Sequence, residues 1–452
     1  MNREIVTQLL EHFKLNFGLD IHNSEDLFET QRNLLEYLMN LGRELENQVF
    51  EELGKGYKGS TILKEGTKYR FLDYRERTIH GLFGAIRYER AYYVATGEEG
   101  GSWIPLDKKL GIEKRHTPGL NYFLSSFTGR DAYQESLNRF HEIFRPGGKH
   151  LISMRKALDM DYELGDRIEY TRQEEIRKVF DEVKPVEKHR MTEGVVAVSI
   201  DATKVREKQG EYVDDCGKTR YEIGFRDAKI AVISESCWDS KRSEAYCANS
   251  SYVGGIEHAD EFFRRIWVEM HRRIRDPEKD LMVFLADGAT WIWDRIPDLA
   301  NERSIFILDF YHASEHLSEI CKKLYGEQTE EYWRHFTEWR HSFLTGKVPH
   351  VIAALKEIRD TCKGEKRDFL QGAIGYFEDN EERMHYDQYR AMHLPIGSGT
   401  VESSCKNVIG GRMKQGGMTW SESGAEGMLQ IRTSLCSERF QDDFRQTLRL
   451  AA

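Results

Sequence analysis

Residues 281–317 contain the run Leu281-Met-Val-Phe-Leu-Ala-Asp287-Gly288 and, after an amphipathic segment, the run Ile305-Phe-Ile-Leu-Asp309-Phe-Tyr-His312. Short apolar runs separated by helical patterns predict parallel strands that are covered on both faces. Sheets of this kind bind ligands beyond the carboxyl ends of their strands. Asp287 and Asp309 are therefore expected at a ligand-binding edge.

The two acidic residues are candidates for metal ligands. A carboxylate at such an edge is costly to desolvate unless it binds a cation or a hydrogen-bond donor. The alternative for either residue alone is that it caps the helix that follows, as Asp often does.

The sequence on the N-terminal side repeats this pattern. Residues 195–201 form an apolar run that ends at Asp201, and strands are predicted at 221–235 and 243–253, with a helix at 256–275. Three strands, a helix, the strand that ends at Asp287, a helix and the strand that ends at Asp309 follow the RNase H-like order. We therefore expect an α/β fold with a central five-stranded mixed sheet.

A third acidic residue follows a helical insertion. Residues 316–392 have helical patterns throughout, and Leu394-Pro-Ile-Gly-Ser-Gly-Thr-Val-Glu402 then forms a Gly-rich turn that opens a helix. Glu402 lies in the first turn of that helix, where the helix dipole also favours a carboxylate. The alternative is that Glu402 serves only to start the helix.

The segments expected from these patterns divide the chain as follows: N-terminal helices at 1–57, a small β-rich ribbon-like unit without cysteines at 58–116, a helix-turn-helix-like DNA-binding unit and linker at 117–192, the first part of the RNase H-like core at 193–315, the helical insertion at 316–392, and the last part of the core at 393–452.

The DNA-binding expectation rests on local charge, because the formal net charge is −10. Basic and aromatic residues alternate between 64 and 93, which suits a phosphate backbone or an ordinary solvated face. A turn at 145–148 precedes a helix that presents Lys149, Ser153 and Arg155, as in a helix-turn-helix recognition helix. Phosphate contacts are also expected after the third acid, at Lys406, Arg412 and Lys414.

Composition excludes other classes of protein. With 39% hydrophobic and 31% charged residues, the 452-residue chain is typical of soluble proteins. It has no apolar run of membrane-spanning length and no signal-peptide pattern, so a cytoplasmic protein with no membrane partner is expected. The seven cysteines lack any C-x-x-C pair, which favours free thiols.

Three convergent carboxylates at Asp201, Asp287 and Glu402 would suit Mg²⁺ or Mn²⁺, which prefer hard oxygen ligands. Two such ions support phosphoryl transfer by activating a water or 3′-hydroxyl nucleophile and stabilising the leaving oxygen. The sequence therefore predicts a two-metal site for cleavage of nucleic acid.

Four motifs resemble those of the ISKra group of bacterial insertion-sequence transposases, part of the Mutator-like set of DDE enzymes. They are Leu285-Ala-Asp-Gly-Ala-Thr-Trp-Ile-Trp293, Ile307-Leu-Asp-Phe-Tyr-His-Ala-Ser-Glu-His-Leu317, Leu394-Pro-Ile-Gly-Ser-Gly-Thr-Val-Glu402 and Gly411-Arg-Met-Lys-Gln-Gly-Gly-Met-Thr-Trp420. The resemblance spans about 195–435, and more weakly about 60–165. It implies an RNase H-like core with a helical insertion and a catalytic triad of Asp201, Asp287 and Glu402.

The same resemblance assigns Asp309 and His312 to a C/D-x-x-H motif, for which we expect a supporting role through hydrogen bonds to the site. The family often carries a cysteine zinc ribbon near its N-terminus, but the corresponding stretch here has no cysteine, so no structural zinc is expected. Position 419 is Thr where the family pattern has a basic residue.

The function expected from these features is that of a DNA transposase, which cleaves and transfers strands at the terminal inverted repeats of a mobile element. It would act on terminal repeats and target DNA as a homodimer or larger assembly. The alternatives are a domesticated, non-mobile DNA-binding protein and an RNase H-like nuclease without strand transfer. The sequence does not identify the terminal repeat, the target site or the transposition pathway.

Overall fold

The chain folds into two compact units, Met1–Leu164 with Phe440–Ala452, and Gly165–Arg439. The computed structural model describes residues 3–97, 100–112, 114–144, 152–397 and 399–451, except for the side chains of 400–402 and 451. It is a mixed α/β structure with two sheets. This division into two units differs from the six predicted segments in two ways. The boundary between the units lies within one long helix, and the C-terminal helix belongs to the first unit.

The first unit combines helices with a small antiparallel sheet of order β1-β2-β3-β4. Its elements are α1 (Arg3–Phe17), α2 (Ser24–Glu52), β1 (Thr61–Lys64), β2 (Thr67–His80), β3 (Ala85–Ala95), β4 (Ser102–Trp103), α3 (Pro105–Lys109), α4 (Pro118–Thr128), α5 (Tyr133–Phe144), the start of α6 (Met154–Phe180) and α17 (Phe440–Ala451).

Local sequence explains these elements. Asn23 caps α2 by accepting the N–H groups of Glu25 and Asp26. The β2–β3 hairpin buries Ile79 and Ile86 at the closed end of its ladder, opposite each other in register. Alternation of buried and exposed residues along β3 is typical of a sheet with one solvated face.

The C-terminal helix α17 packs on α4 within the first unit. The rings of Tyr122 and Phe440 stack with centroids 5.3 Å apart, and Phe444 meets Tyr122 edge-on. A fragment of residues 1–165 lacks α17 and would therefore expose the apolar surface of α4 that α17 covers.

The prediction of a linker at 166–192 is wrong for its first part, because helix α6 extends to Phe180. Leu164, Ile168 and Ile176 are buried at helical spacing, so the helix continues to Phe180. Charge alone predicted a linker there, although charged residues on the exposed face of a helix give the same composition. The predicted turn at 145–148 and Lys149 lie outside the described residues.

The second unit is built on a five-stranded sheet of order β7-β6-β5-β8-β9. The strands are β5 (Val195–Val213), β6 (Thr219–Asp239), β7 (Glu244–Gly255), β8 (Met282–Ala286) and β9 (Ile305–Leu308). Strands β5, β8 and β9 are parallel, whereas β6 is antiparallel to both β5 and β7.

Helices cover both faces of this sheet. The cluster on one face includes Val196, Val198 and Phe284, packed beneath α7 (Ala259–Arg273) and α8 (Thr290–Trp293). The cluster on the other face includes Val283 and Leu285, packed beneath the helical insertion. All of β8 is buried, which confirms the prediction of strands covered on both sides.

Strand β5 runs twelve residues past Asp201, to Val213, and so corrects the prediction that it ends at the acid. Its pairing with β8 stops at Ile200, but its antiparallel pairing with β6 continues through Val213 and Thr219. The outer part is a largely exposed two-stranded ribbon. The sequence of this outer part is mostly polar and contains no apolar run, so the hydrophobic pattern does not predict that the strand continues there.

The helical insertion is present as expected. It consists of α9 (Phe310–Tyr325), α10 (Glu330–Leu344), α11 (Val348–Thr361), α12 (Glu365–Asn380) and α13 (Tyr386–Ala391). After it come α14 (Gly399–Ser404), a π-helical segment (Cys405–Gly410), α15 (Gly411–Met413) and α16 (Glu422–Cys436). Among the described residues, no helix is long and apolar enough to cross a membrane. All seven cysteines are free.

Candidate functional site

Asp201 and Asp287 follow residues that are paired in register. Ile200 lies opposite Ala286, which in turn lies opposite Leu308, on three adjacent parallel strands. Neighbouring strands are about 4.8 Å apart. The residue that follows each of these three paired residues is acidic, so Asp201, Asp287 and Asp309 lie at one level of the sheet, where β8 and β9 end and β5 continues.

The Asp201 carboxylate is held by two donors. Its Oδ1 accepts the N–H of Ala202 at 2.6 Å, and its Oδ2 accepts the thiol of Cys405 at 3.1 Å. Burial raises the pKa of Asp201, and the charge of Asp287 raises it further, although these two hydrogen bonds and the proximity of His312 oppose the rise. The two aspartates are thus close enough to repel each other.

Asp287 is fixed by the turn that follows it. Its Oδ1 accepts the N–H of Ala289 at 2.9 Å, and its carbonyl oxygen accepts the indole N–H of Trp293 at 2.6 Å. Within the described part of the chain, neither Asp287 nor Asp201 forms an ion pair with a lysine or arginine.

Glu402 lies on α14, which packs against β5 and β6. Its side chain lies outside the described residues, so its role as a third ligand stays a prediction. Cys405, three residues further along, contacts Asp201, and residues three apart on a helix lie on one face. The backbone of Glu402 is consequently one helical turn from a contact with the first aspartate. Cys405 also opens the π-helical segment, a feature often found at functional sites.

Asp309 caps helix α9, which is the alternative that the sequence left open. Its Oδ1 accepts the N–H of Tyr311 at 2.6 Å and that of His312 at 2.9 Å. The imidazole Nδ1 of His312 lies 3.6 Å from a carboxylate oxygen of Glu315, one turn along. Since His312 also lowers the pKa of Asp201, its ring lies near the first aspartate.

Two aromatic residues beside the site were missed by the sequence patterns. The rings of His316 and Tyr376 stack with centroids 4.0 Å apart, and His312 meets His316 at 5.1 Å. A Cβ at Gly288 would lie 2.2 Å from a ring carbon of Tyr376, so the ring covers the backbone directly after Asp287. In the sequence, the only local indication of this contact is Gly288, because a glycine without a Cβ allows a ring to approach the backbone closely.

The hydroxyl of Tyr376 is buried and has no hydrogen-bond partner among the described residues. Burial raises the pKa of Tyr376, and the charges of Asp287 and Asp309 add to this effect. Burial likewise lowers the pKa of His316, with a further contribution from His312. At neutral pH the phenol is therefore a donor and His316 is neutral.

No group of three His, Cys, Asp or Glu side chains within the described ranges is arranged to hold a metal ion. That set does not include the side chain of Glu402. Asp201 and Asp287 supply two carboxylates, which are ligands that Mg²⁺ and Mn²⁺ accept.

Residues 21–120 match the model of an uncharacterised protein family, UPF0236. The match covers α2, the sheet β1–β4 and α3, and includes none of the aspartates described above. No curated protein matches the chain.

The predicted DNA contacts of α6 are partly described. Ser153 is exposed, and its hydroxyl accepts the N–H of Lys156 at 3.2 Å, so it caps the helix. Arg155 is highly exposed and lies 3.2 Å from Asp159. These two residues remain candidates for contact with DNA.

The predicted phosphate contacts near the site differ from one another. Lys406 is exposed, and the ammonium group of Lys414 donates to the hydroxyl of Thr203, two residues after Asp201. Arg412 is 0% exposed, with its guanidinium 5.1 Å from the ring of Trp420 and 3.3 Å from the sulfur of Met418. The charge of Arg412 predicted a contact with phosphate at the surface. Because the side chain is buried and packed within the fold, its role is structural, and it is not a candidate for a phosphate contact.

Proposed function

We propose that the chain is a DNA transposase of a bacterial insertion sequence, which cleaves DNA strands at the element ends and transfers them to target DNA. The observation that carries this proposal is the register of Asp201 and Asp287 on adjacent parallel strands. Numbering the strands of the second unit along the chain gives the order 3-2-1-4-5, with strand two antiparallel. This order supports an RNase H-like core, in which the first acid lies on strand one and the second follows strand four.

The third acid fits the same scheme. A helical insertion separates β9 from α14, which bears Glu402 and packs against the strand that bears Asp201. The motif resemblance to the ISKra group assigns these same three residues to the catalytic triad. The match to the uncharacterised family is compatible with this proposal but adds no activity to it.

The donor chemistry fits divalent cations. Asp201 and Asp287 are held together despite their repulsion, without a lysine or arginine partner in the described structure. Such a pair favours a bound cation, and Asp201, Asp287 and Glu402 would hold it. When bound, the metal supplies Lewis-acid stabilisation of phosphate oxygens and a lowered pKa for a bound water.

The chain's own residues orient this site. Cys405 and the N–H of Ala202 fix the Asp201 carboxylate, and the N–H of Ala289 fixes that of Asp287. Asp309 anchors the start of α9, which positions His312 beside the aspartates. Lys414, attached to Thr203, offers a positive charge to a DNA phosphate on the same side of β5.

The test uses the purified full chain and a supercoiled plasmid that carries the sequences flanking its gene, with Mn²⁺, Mg²⁺ or EDTA. The proposal expects metal-dependent cleavage at the two flanks and joining of the released ends to other DNA. Asp287→Asn should abolish both reactions. Asp379→Asn, an exposed acid on α12, is the control with the same charge change.

The outcomes separate the competing functions. Cleavage without preference for the flanks, and without joining, would indicate an RNase H-like nuclease. Tight binding to the flanks without cleavage in either metal would indicate a DNA-binding protein that has lost mobility. Cleavage that survives Asp287→Asn would reject the site itself.

A further inference from the structure

The first unit contains a cavity of about 740 Å³ between the sheet and the loop that follows α3. This volume lies within the range of small-molecule sites. Strands β2, β3 and β4 contribute Thr78, Arg90 and Trp103, and the far side is formed by Asp107, Ile112 and Arg115. All of these residues belong to the first unit.

The acidic residues of this cavity are already neutralised. Asp107 accepts the hydroxyl of Tyr88 and Nη1 of Arg77, each at 2.5 Å, and also Nη1 of Arg90. Glu76, which also lines the cavity, lies 3.1 Å from Nε of Arg87. Neither carboxylate of the lining is therefore left unpaired to repel an anion.

Arg77 gives the cavity a fixed wall. Besides Asp107, it donates to the carbonyl oxygens of Ile112 at 3.4 Å and Lys114 at 2.9 Å. The carbonyl of Arg115 accepts the N–H of His80 at 2.9 Å. These bonds attach the loop to the end of β2 and hold Arg115 at the rim.

Three donor groups of the lining have no partner in the described structure. The Nε–H of Arg90 and the indole N–H of Trp103 are buried without an acceptor. The guanidinium of Arg115 is exposed and forms no ion pair there. Unpaired buried donors are costly, so a ligand that brings acceptor oxygens would be stabilised.

We propose that this cavity binds a nucleotide, with Arg115 and Arg90 donating to its phosphate. Arginine suits a phosphate because its donors match the oxygens in pairs. Inorganic phosphate alone would leave most of the volume unfilled, whereas the partly exposed ring of Trp103 offers apolar surface to a base. The inference does not depend on strand cleavage, because it concerns another unit and needs no metal.

The experiment titrates the full chain, in EDTA, with deoxyadenosine monophosphate, deoxyadenosine and inorganic phosphate, and measures binding by calorimetry. The expected order of affinity is nucleotide, then phosphate, with no measurable binding of the nucleoside. Arg115→Gln should weaken nucleotide binding about tenfold or more, since a charge-assisted hydrogen bond is lost. Trp103→Phe, which keeps a ring but removes the N–H, should weaken it by a smaller factor.

The matched control is Arg32→Gln, which makes the same charge change on an exposed residue of α2 that lies outside the cavity lining. It should bind the nucleotide within about twofold of the wild type. Equal weakening by the two arginine variants, equal binding of nucleoside and nucleotide, or no saturable binding would overturn the proposal. A competition arm identifies the source of the ligand. A nucleotide that displaces a short single-stranded DNA from the wild type, but not from Arg115→Gln, indicates that the cavity takes a nucleotide of DNA. A nucleotide that binds without displacing the single strand indicates a free nucleotide.

Discussion

The thiol of Cys405 lies 3.1 Å from Oδ2 of Asp201. This contact joins the first turn of the π-helical segment to the strand that carries the first aspartate. A thiol is a weak donor, so it orients the carboxylate without neutralising it. The helix that bears Glu402 is thereby tied to the site through a neighbour one turn away.

Replacing Cys405 should change the pH at which Asp201 binds a cation. The thiol hydrogen bond lowers the pKa of Asp201, so Cys405→Ala should raise that pKa further, whereas Cys405→Ser retains a donor. The measurement is the rise in melting temperature caused by Mn²⁺, followed from pH 4 to pH 8. In the Cys405→Ala variant alone, the pH below which Mn²⁺ no longer raises the melting temperature should be higher. Superimposable curves for the alanine variant and the control Cys216→Ala, an exposed cysteine, would contradict the assignment.

Asp201→Asn should stabilise the protein at neutral pH in EDTA. Burial raises the pKa of Asp201 above its usual value of 3.8, so the folded state binds a proton that the unfolded state has released. The stability that this proton provides is complete below pH 3.8 and is lost as the pH rises through the folded-state pKa. Because asparagine does not titrate, the variant should melt a few degrees above the wild type at pH 8, and equally at pH 3.

Calorimetric melting of both proteins over that pH range checks this expectation. Mn²⁺ should reverse the order at pH 8, because it stabilises the protein that binds it. Asp379→Asn serves as the control for a surface charge change and should follow the wild type. An Asp201→Asn variant that melts lower at pH 8 in EDTA would show that the carboxylate stabilises the fold.

The strands of the second unit differ in how far local sequence predicts them. Strands β8 and β9 are continuous apolar runs because both of their faces are buried, and their predicted ends lie within one residue of those observed. The outer half of β5 has no such run, and it forms a strand because β6 pairs with it. Cross-strand pairing leaves no periodic mark in the sequence when neither face of the ribbon is covered.

The candidate site shows the same limit. The positions of Asp201 and Asp287 are predictable because each follows a buried apolar run, which is a local pattern, although β5 continues past Asp201. Tyr376 comes near them only through the packing of helices. His316 and Cys405 lie one helical turn from His312 and Glu402, but that spacing alone does not select them as site residues. The charge of Arg412 predicted a surface position, but the side chain is buried against Trp420. Burial of this kind depends on tertiary packing, which the local sequence does not show.

Tyr376→Phe separates a functional hydroxyl from a structural one. The hydroxyl has no partner in the described structure, so its removal should leave the melting temperature unchanged or slightly raised. If it donates to a phosphate or water at the aspartates, strand cleavage should fall about tenfold at unchanged affinity for DNA. The contrast is Tyr386→Phe, whose hydroxyl donates to the carbonyl of Leu308 at 3.0 Å and whose loss should lower the melting temperature. A destabilised Tyr376→Phe protein with normal cleavage would refute the role.

A buried cluster of carboxylates controls the stability of the second unit. Arg265 of α7 donates Nε to Glu257 at 2.5 Å and Nη1 to Glu169 at 2.8 Å. Glu426 of α16 accepts the N–H of Ile256 at 3.1 Å. Three carboxylates thus lie around the guanidinium of Arg265, and Arg172 adds a second positive charge near Glu169, which leaves negative charge in excess in a buried region.

Glu426→Gln should remove a pH dependence that this cluster creates. Burial raises the pKa of Glu426 from 4.5 to about 7, with further contributions from the charges of Glu257 and Glu169. The folded state therefore keeps a proton between pH 4.5 and about 7, and stability falls across that window as the proton is lost. The difference corresponds to about 3 kcal/mol, so the variant should exceed the wild type by about that free energy of unfolding at pH 9 and equal it at pH 4. Urea unfolding at the two pH values gives the measurement, and Glu422→Gln, an exposed residue on the same helix, gives the control. A wild type that loses no more stability than Glu426→Gln between pH 4 and pH 9 would mean that Glu426 is ionised throughout and that Arg265 balances all three carboxylates.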